Sequence, residues 1–144
     1  MQPGKSTLLI CASALLLLAT PLVQADTLNL GATLSASAEV PPNNSAGMGQ
    51  LQAEFDKATN TLSYTLRYSG LSGPVKAGHF HGPAEAGKNA GVALGISNIG
   101  ESPVQGRAVL TAAQAADLLA GKWYVNLHTA ANPGGELRGQ VGVE

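Results

Sequence analysis

Three histidines, His79, His81 and His128, make up the chain's whole imidazole inventory. His79 and His81 flank Phe80 in a stretch that reads as a strand. Alternate residues of a strand share a face, so both rings project the same way, about 7 Å apart along the chain. The segment from Trp123 to His128 sorts in the same manner. Trp123, Val125 and Leu127 form an apolar face, and Tyr124, Asn126 and His128 form a polar one. If Phe80 and Leu127 both point into the core, all three imidazoles lie on the opposite side of one sheet. Three neutral imidazoles from two strands suit copper or zinc, with a fourth position open for water or an exogenous ligand. The same residues also fit a plainer role, solvated or satisfying carbonyls with no ion.

Other polar residues near the second strand support such a site. Asn126 shares the polar face, and Glu136 and Arg138 follow a turn containing Asn132-Pro-Gly-Gly135. Glu136 is expected to orient a ligating histidine through its ring N–H, and Arg138 to draw an anion toward the open position. Alternatively, the two pair with each other or with Glu39, while Thr129 and Asn132 close a turn of their own. No nucleophile elbow of the Gly-x-Ser-x-Gly type occurs. The glycines of Gly91-Val-Ala-Leu-Gly95 precede no helix that would cradle phosphate. Metal binding is therefore expected rather than catalysis.

Composition indicates what positions these residues. The chain has 144 residues, 12% charged, 4% aromatic and 44% hydrophobic, with 18 glycines and 8 prolines. Low charge and abundant glycine favour a turn-rich β domain over a helical bundle. Apolar residues alternate from Leu28 to Ala38, and again in Gly49 to Phe55 and Thr61 to Tyr68, the last two joined as a hairpin through Asp56 to Asn60. Further strands are expected at Val75 to His81, Val92 to Ile96, Val104 to Leu110, Trp123 to Thr129 and Glu136 to Val143. Thr111-Ala-Ala-Gln114 is a capping box, and Gly121 a stop, so a short helix links two strands. The expected fold is all-β, a Greek-key-like antiparallel β-sandwich of about eight strands with one short linking helix.

Residues 1–25 have the build of a signal peptide: Lys5, an apolar run from Leu8 to Leu18, Pro21, and a small-residue site ending at Ala25. The apolar run is too short to span a bilayer, which takes about 20 residues. Cleavage near Ala25 leaves one domain, 26–144, secreted or periplasmic, with no membrane span. The only cysteine, Cys11, leaves with the leader, so neither a disulfide nor a thiolate metal site is expected. Eight Lys+Arg against nine Asp+Glu give no basic footprint for nucleic acid.

The sequence resembles the CHRD domain family, first described in chordin. The matching pieces are Ala38-Glu39-Val40-Pro41-Pro42, Thr61-Leu-Ser-Tyr64, His79-Phe-His81-Gly82-Pro83-Ala84, Tyr124-Val-Asn126-Leu-His128-Thr129 and Asn132-Pro-Gly-Gly-Glu136-Leu-Arg138-Gly139. The resemblance implies a secreted or periplasmic β domain and no established reaction. The histidine layout is also similar to the copper side of copper/zinc superoxide dismutases, which use a fourth copper histidine, a zinc subsite and a disulfide. With three histidines the likeness implies copper binding more than turnover. Three functional classes follow: a copper or zinc binding domain, a structural or adhesive module contacting an extracellular or envelope protein, and a copper-dependent redox enzyme.

Overall fold

A computed structural model describes residues 26–144 of the chain. The expected leader, with Cys11, lies outside the described residues. Nine strands and one helix follow in order: β1 (Thr27–Ser35), β2 (Met48–Asp56), β3 (Thr61–Ser69), β4 (Val75–His81), β5 (Val92–Gly95), β6 (Val104–Val109), α1 (Ala112–Leu119), β7 (Tyr124–Thr129), β8 (Leu137–Gln140) and β9 (Gly142–Val143). They hydrogen-bond in the order β5-β4-β7-β8-β1-β2-β3-β6, with β9 added to β1, and every pairing is antiparallel. The sheet curls into a sandwich. Tyr64 on β3 and Phe80 on β4, far apart in strand order, meet edge to face with ring centroids 5.1 Å apart.

Period-2 patterning explains the strands. Leu30, Ala32 and Leu34 of β1, Leu51, Ala53 and Phe55 of β2, and Leu62, Tyr64 and Leu66 of β3 are buried between the two layers. Their polar neighbours face outward, as one-sided burial of an antiparallel sheet requires. The hairpin turns where Asp56 Oδ1 accepts the backbone N–H groups of Ala58 and Thr59, and Asn60 takes a left-handed φ of 52°. The helix starts at the expected capping box. Thr111 Oγ1 accepts from Gln114 N–H, and the Gln114 side chain accepts from Thr111 N–H.

Two boundaries differ from the sequence expectation. The alternation through Ala38 is cut short at Ser35, and Ala36–Ala38 forms a 3₁₀ turn whose Ala36 carbonyl accepts from Glu39 and Asn43. The turn packs against β8, and its Ala36 side chain enters the core. The expected last strand, Glu136 to Val143, is two strands separated at Val141. Its N–H bonds to Trp123 O while its side chain enters the core. Glu136 precedes β8.

Phe80 anchors the layer that carries the histidines. It is 0% exposed and packs between Tyr64 and Trp123. Gly82, two residues on, has no room for a side chain, since a Cβ there would lie 2.3 Å from Trp123 Cδ1. Replacing Phe80 by alanine is expected to cost about 3–5 kcal/mol of unfolding free energy in urea titrations. A loss below about 1 kcal/mol would show that this ring does not hold the layers together.

Candidate metal centre

The register of β4 on β7 assembles the site. Ala77 lies opposite His128, His79 opposite Asn126, and His81 opposite Tyr124. Directly opposed residues of an antiparallel pair project from the same face. Phe80, Val125 and Leu127 occupy the inner face, so the three histidines share the outer one, each half-buried. Their ring centroids are 5.1 Å apart for His79 and His128, 5.5 Å for His79 and His81, and 6.5 Å for His81 and His128. One nitrogen from each ring joins a cluster in which all such atoms lie within 4.8 Å of one another. His79 Nδ1 is 3.3 Å from His128 Nε2.

Backbone carbonyls orient two of the rings. His81 Nδ1 lies 2.9 Å from the Ala90 carbonyl oxygen, and His128 Nδ1 lies 3.0 Å from that of Pro133. A carbonyl only accepts, so both Nδ1 atoms carry hydrogen and a neutral ring presents the Nε2 lone pair. Those two Nε2 atoms each lie 3.0 Å from Asn126 Oδ1. Burial pushes the His79 pKa down, and its like-charged neighbours His128 and His81 push it further. The neutral ring thus favoured is the form a metal requires.

Arg138 and Glu136 take roles other than those expected. Arg138 is 2% exposed and pairs across the ladder with Asn126. Its guanidinium donates to Asn89 Oδ1 and to the Lys88 carbonyl, and it lies 3.5 Å from the centre of the Tyr124 ring. It forms no ion pair with Glu136 or Glu39. Arg138 therefore pins the Lys88 to Ala90 stretch whose carbonyl aims His81. Tyr124 completes that support, stacking on His81 at 4.8 Å with ring planes 4° apart and exchanging hydrogen bonds with Ala90.

Glu136 does not touch a histidine. It is 0% exposed, and its carboxylate accepts hydrogen bonds from Ser45 Oγ, Ser72 N–H, Ser72 Oγ and Thr129 Oγ1. A strand-end carboxylate surrounded by hydroxyls is satisfied by them before it reaches a ring. Burial pushes its pKa up, but the hydrogen bonds from Ser45, Ser72 and Thr129 outweigh this and hold it at about 2. The clamp joins the segments before β2 and β4 to the end of β7. It thereby fixes the turn whose Pro133 carbonyl aims His128. Asn132 N–H donates to Thr129 Oγ1, closing that turn as the structural alternative expects.

Glu39 sits beneath the turn at 5% exposure, with Oε1 lacking a hydrogen-bond partner among the described residues. Burial pushes its carboxyl pKa up, offset in part by the Val40 N–H, the Arg138 charge and the Asn126 amide. Gly135 is required above it. Its φ is 135°, and a Cβ there would lie 2.2 Å from Glu39 Oε1. Sequence reasoning named neither Tyr124, Ala90 nor Pro133 as supports. The Ala90 and Pro133 contacts are made by main chain, which leaves no mark in residue type, and Tyr124 could have been found from its place opposite His81.

The fold and this face together define a class: a small antiparallel β-sandwich that gathers three half-buried imidazoles on one outer surface. The chain belongs to the CHRD domain family, whose model matches residues 30–141 and so spans every residue of the cluster. No curated protein and no solved structure matches the chain. Among the described residues no helix is long and apolar enough to cross a membrane.

The Glu136 clamp has a pH signature. Its folded pKa lies below the ordinary carboxylate value of 4.5, so its stabilisation is complete above pH about 4.5 and is lost as pH falls toward about 2. Glu136→Gln is expected to cost at least about 2 kcal/mol at neutral pH, because buried hydroxyls lose a charged acceptor. It should also flatten the acid limb of the stability profile measured by thermal unfolding. An unchanged acid limb would remove Glu136 as the clamp.

Proposed function

We propose that this CHRD domain is an exported metal-binding domain that holds one copper or zinc ion through His79, His81 and His128. The leader-like residues 1–25 support export. What carries the metal reading is the convergence of nitrogens from three rings, two of them held by carbonyls with their lone pairs turned inward. Solvated histidines with no shared task have no need of such orientation. Hydrogen bonding that fixes the far nitrogen is the usual support of a ligating imidazole, with a backbone carbonyl as one common acceptor. Binding rather than turnover is the function proposed.

Calorimetric titration of the cleaved protein with Zn²⁺ and Cu²⁺ is expected to give one ion per chain, with a dissociation constant below about 10 µM at neutral pH. Affinity should fall as the solution is acidified, because protons compete with the ion for the imidazole nitrogens. At a free ion concentration about 100 times the dissociation constant, the melting temperature should rise by roughly 10 °C. His79→Ala combined with His81→Ala should abolish both effects. Failure of both ions to bind would contradict the proposal. So would a double variant that melts lower yet binds metal as before, which would assign the histidines to the fold of a structural or adhesive module.

A further inference from the structure

The polar groups around the cluster can be counted donor by donor. His81 Nε2 and His128 Nε2 present lone pairs, since the protons of both rings lie on Nδ1 against carbonyls. Asn126 Oδ1, 3.0 Å from each, is also an acceptor. His79 Nδ1, 3.3 Å from His128 Nε2, is the one ring nitrogen here free to donate into the cluster, and no hydrogen lies between His81 Nε2 and Asn126 Oδ1. Turning the amide over would supply donors to the rings but would turn Oδ1 toward the Glu39 carboxyl, whose pKa the Asn126 amide lowers. Asn126 is also confined. It is 3% exposed, with His79 opposite on β4 and Arg138 opposite on β8.

A single cation satisfies all these acceptors at once. Bonds of about 2.0–2.1 Å in a tetrahedral set place neighbouring ligand atoms about 3.3 Å apart. Three of the six separations are close to this, 3.0 Å from Asn126 Oδ1 to each Nε2 and 3.3 Å from His79 Nδ1 to His128 Nε2, and the imidazole nitrogens all lie within 4.8 Å of one another. We infer that Asn126 Oδ1 is the fourth ligand, closing an N₃O set around the ion and leaving no position for water. The inference rests on the three-histidine reading and replaces the open fourth position expected from sequence. Its neutral nitrogen and oxygen donors, with no sulfur, select Zn²⁺ or Cu²⁺ over Cu⁺.

Co²⁺ in place of Zn²⁺ tests this, because its visible bands report coordination number. The unaltered protein should give a four-coordinate spectrum that azide does not change. Asn126→Ala should bind Co²⁺ about 10 to 100-fold more weakly, and its spectrum should shift on adding azide as the freed position is taken. Asn126→Asp, which keeps an oxygen in place, should bind at least as tightly as the parent. An azide shift in the unaltered protein, or an alanine variant with unchanged affinity and spectrum, would overturn the fourth ligand and leave the three histidines standing. Failure of the unaltered protein to bind Co²⁺ and Zn²⁺ would overturn both readings. The azide response of the parent stands independently of how well the variants fold.

Discussion

The pairing of β4 with β7 is the constraint on which the site depends. Side chains of a strand alternate faces, so a slip of one residue would carry His79 and His81 into the core and Phe80 out to solvent. Burial of Phe80, Val125 and Leu127 on the inner face makes that exchange expensive, and the outer face inherits its order from the inner one. Gly78 tightens the fit, since a Cβ there would lie 2.9 Å from Ile99 Cδ1. The apolar core thus decides which residues meet on the polar surface.

Register alone brings the rings near one another; it does not aim them. Two buried ionic groups supply the aim, each acting through a loop. Arg138 holds the stretch that ends in the Ala90 carbonyl, and Glu136 holds the turn that carries the Pro133 carbonyl. Burying a guanidinium and a carboxylate apart from each other is costly unless every polar contact is made. Both are met by hydrogen bonds, and Arg138 also lies on the Tyr124 ring. Removing either group would free the loop it holds, so the same contacts that stabilise the fold also set the ring geometry.

Much of this was legible in the sequence, for physical reasons that differ by element. Alternation in β1, β2 and β3 and the Thr111 capping box are local signals, so strands and helix fell close to where they were read. The shared face of His79, His81 and His128 follows from the period of a strand together with the inward side chains of Phe80 and Leu127. Glu136 and Arg138 misled because their partners, Ser45, Ser72, Lys88 and Asn89, come from loops brought in by the curl of the sheet. No spacing rule relates residue 136 to residue 45. The end of β1 at Ser35 was hidden by Ala36 and Ala38, which extend the alternating pattern while the backbone turns.

The most direct measurement is the anomalous difference density of crystals grown with one equivalent of Zn²⁺ at neutral pH, recorded at the zinc edge. One peak is expected, about 2.0–2.1 Å from His79 Nδ1, His81 Nε2 and His128 Nε2. A peak touching a single histidine, or one lying elsewhere on the domain while this cluster stays empty, would contradict the claim that the β4–β7 register builds a metal site.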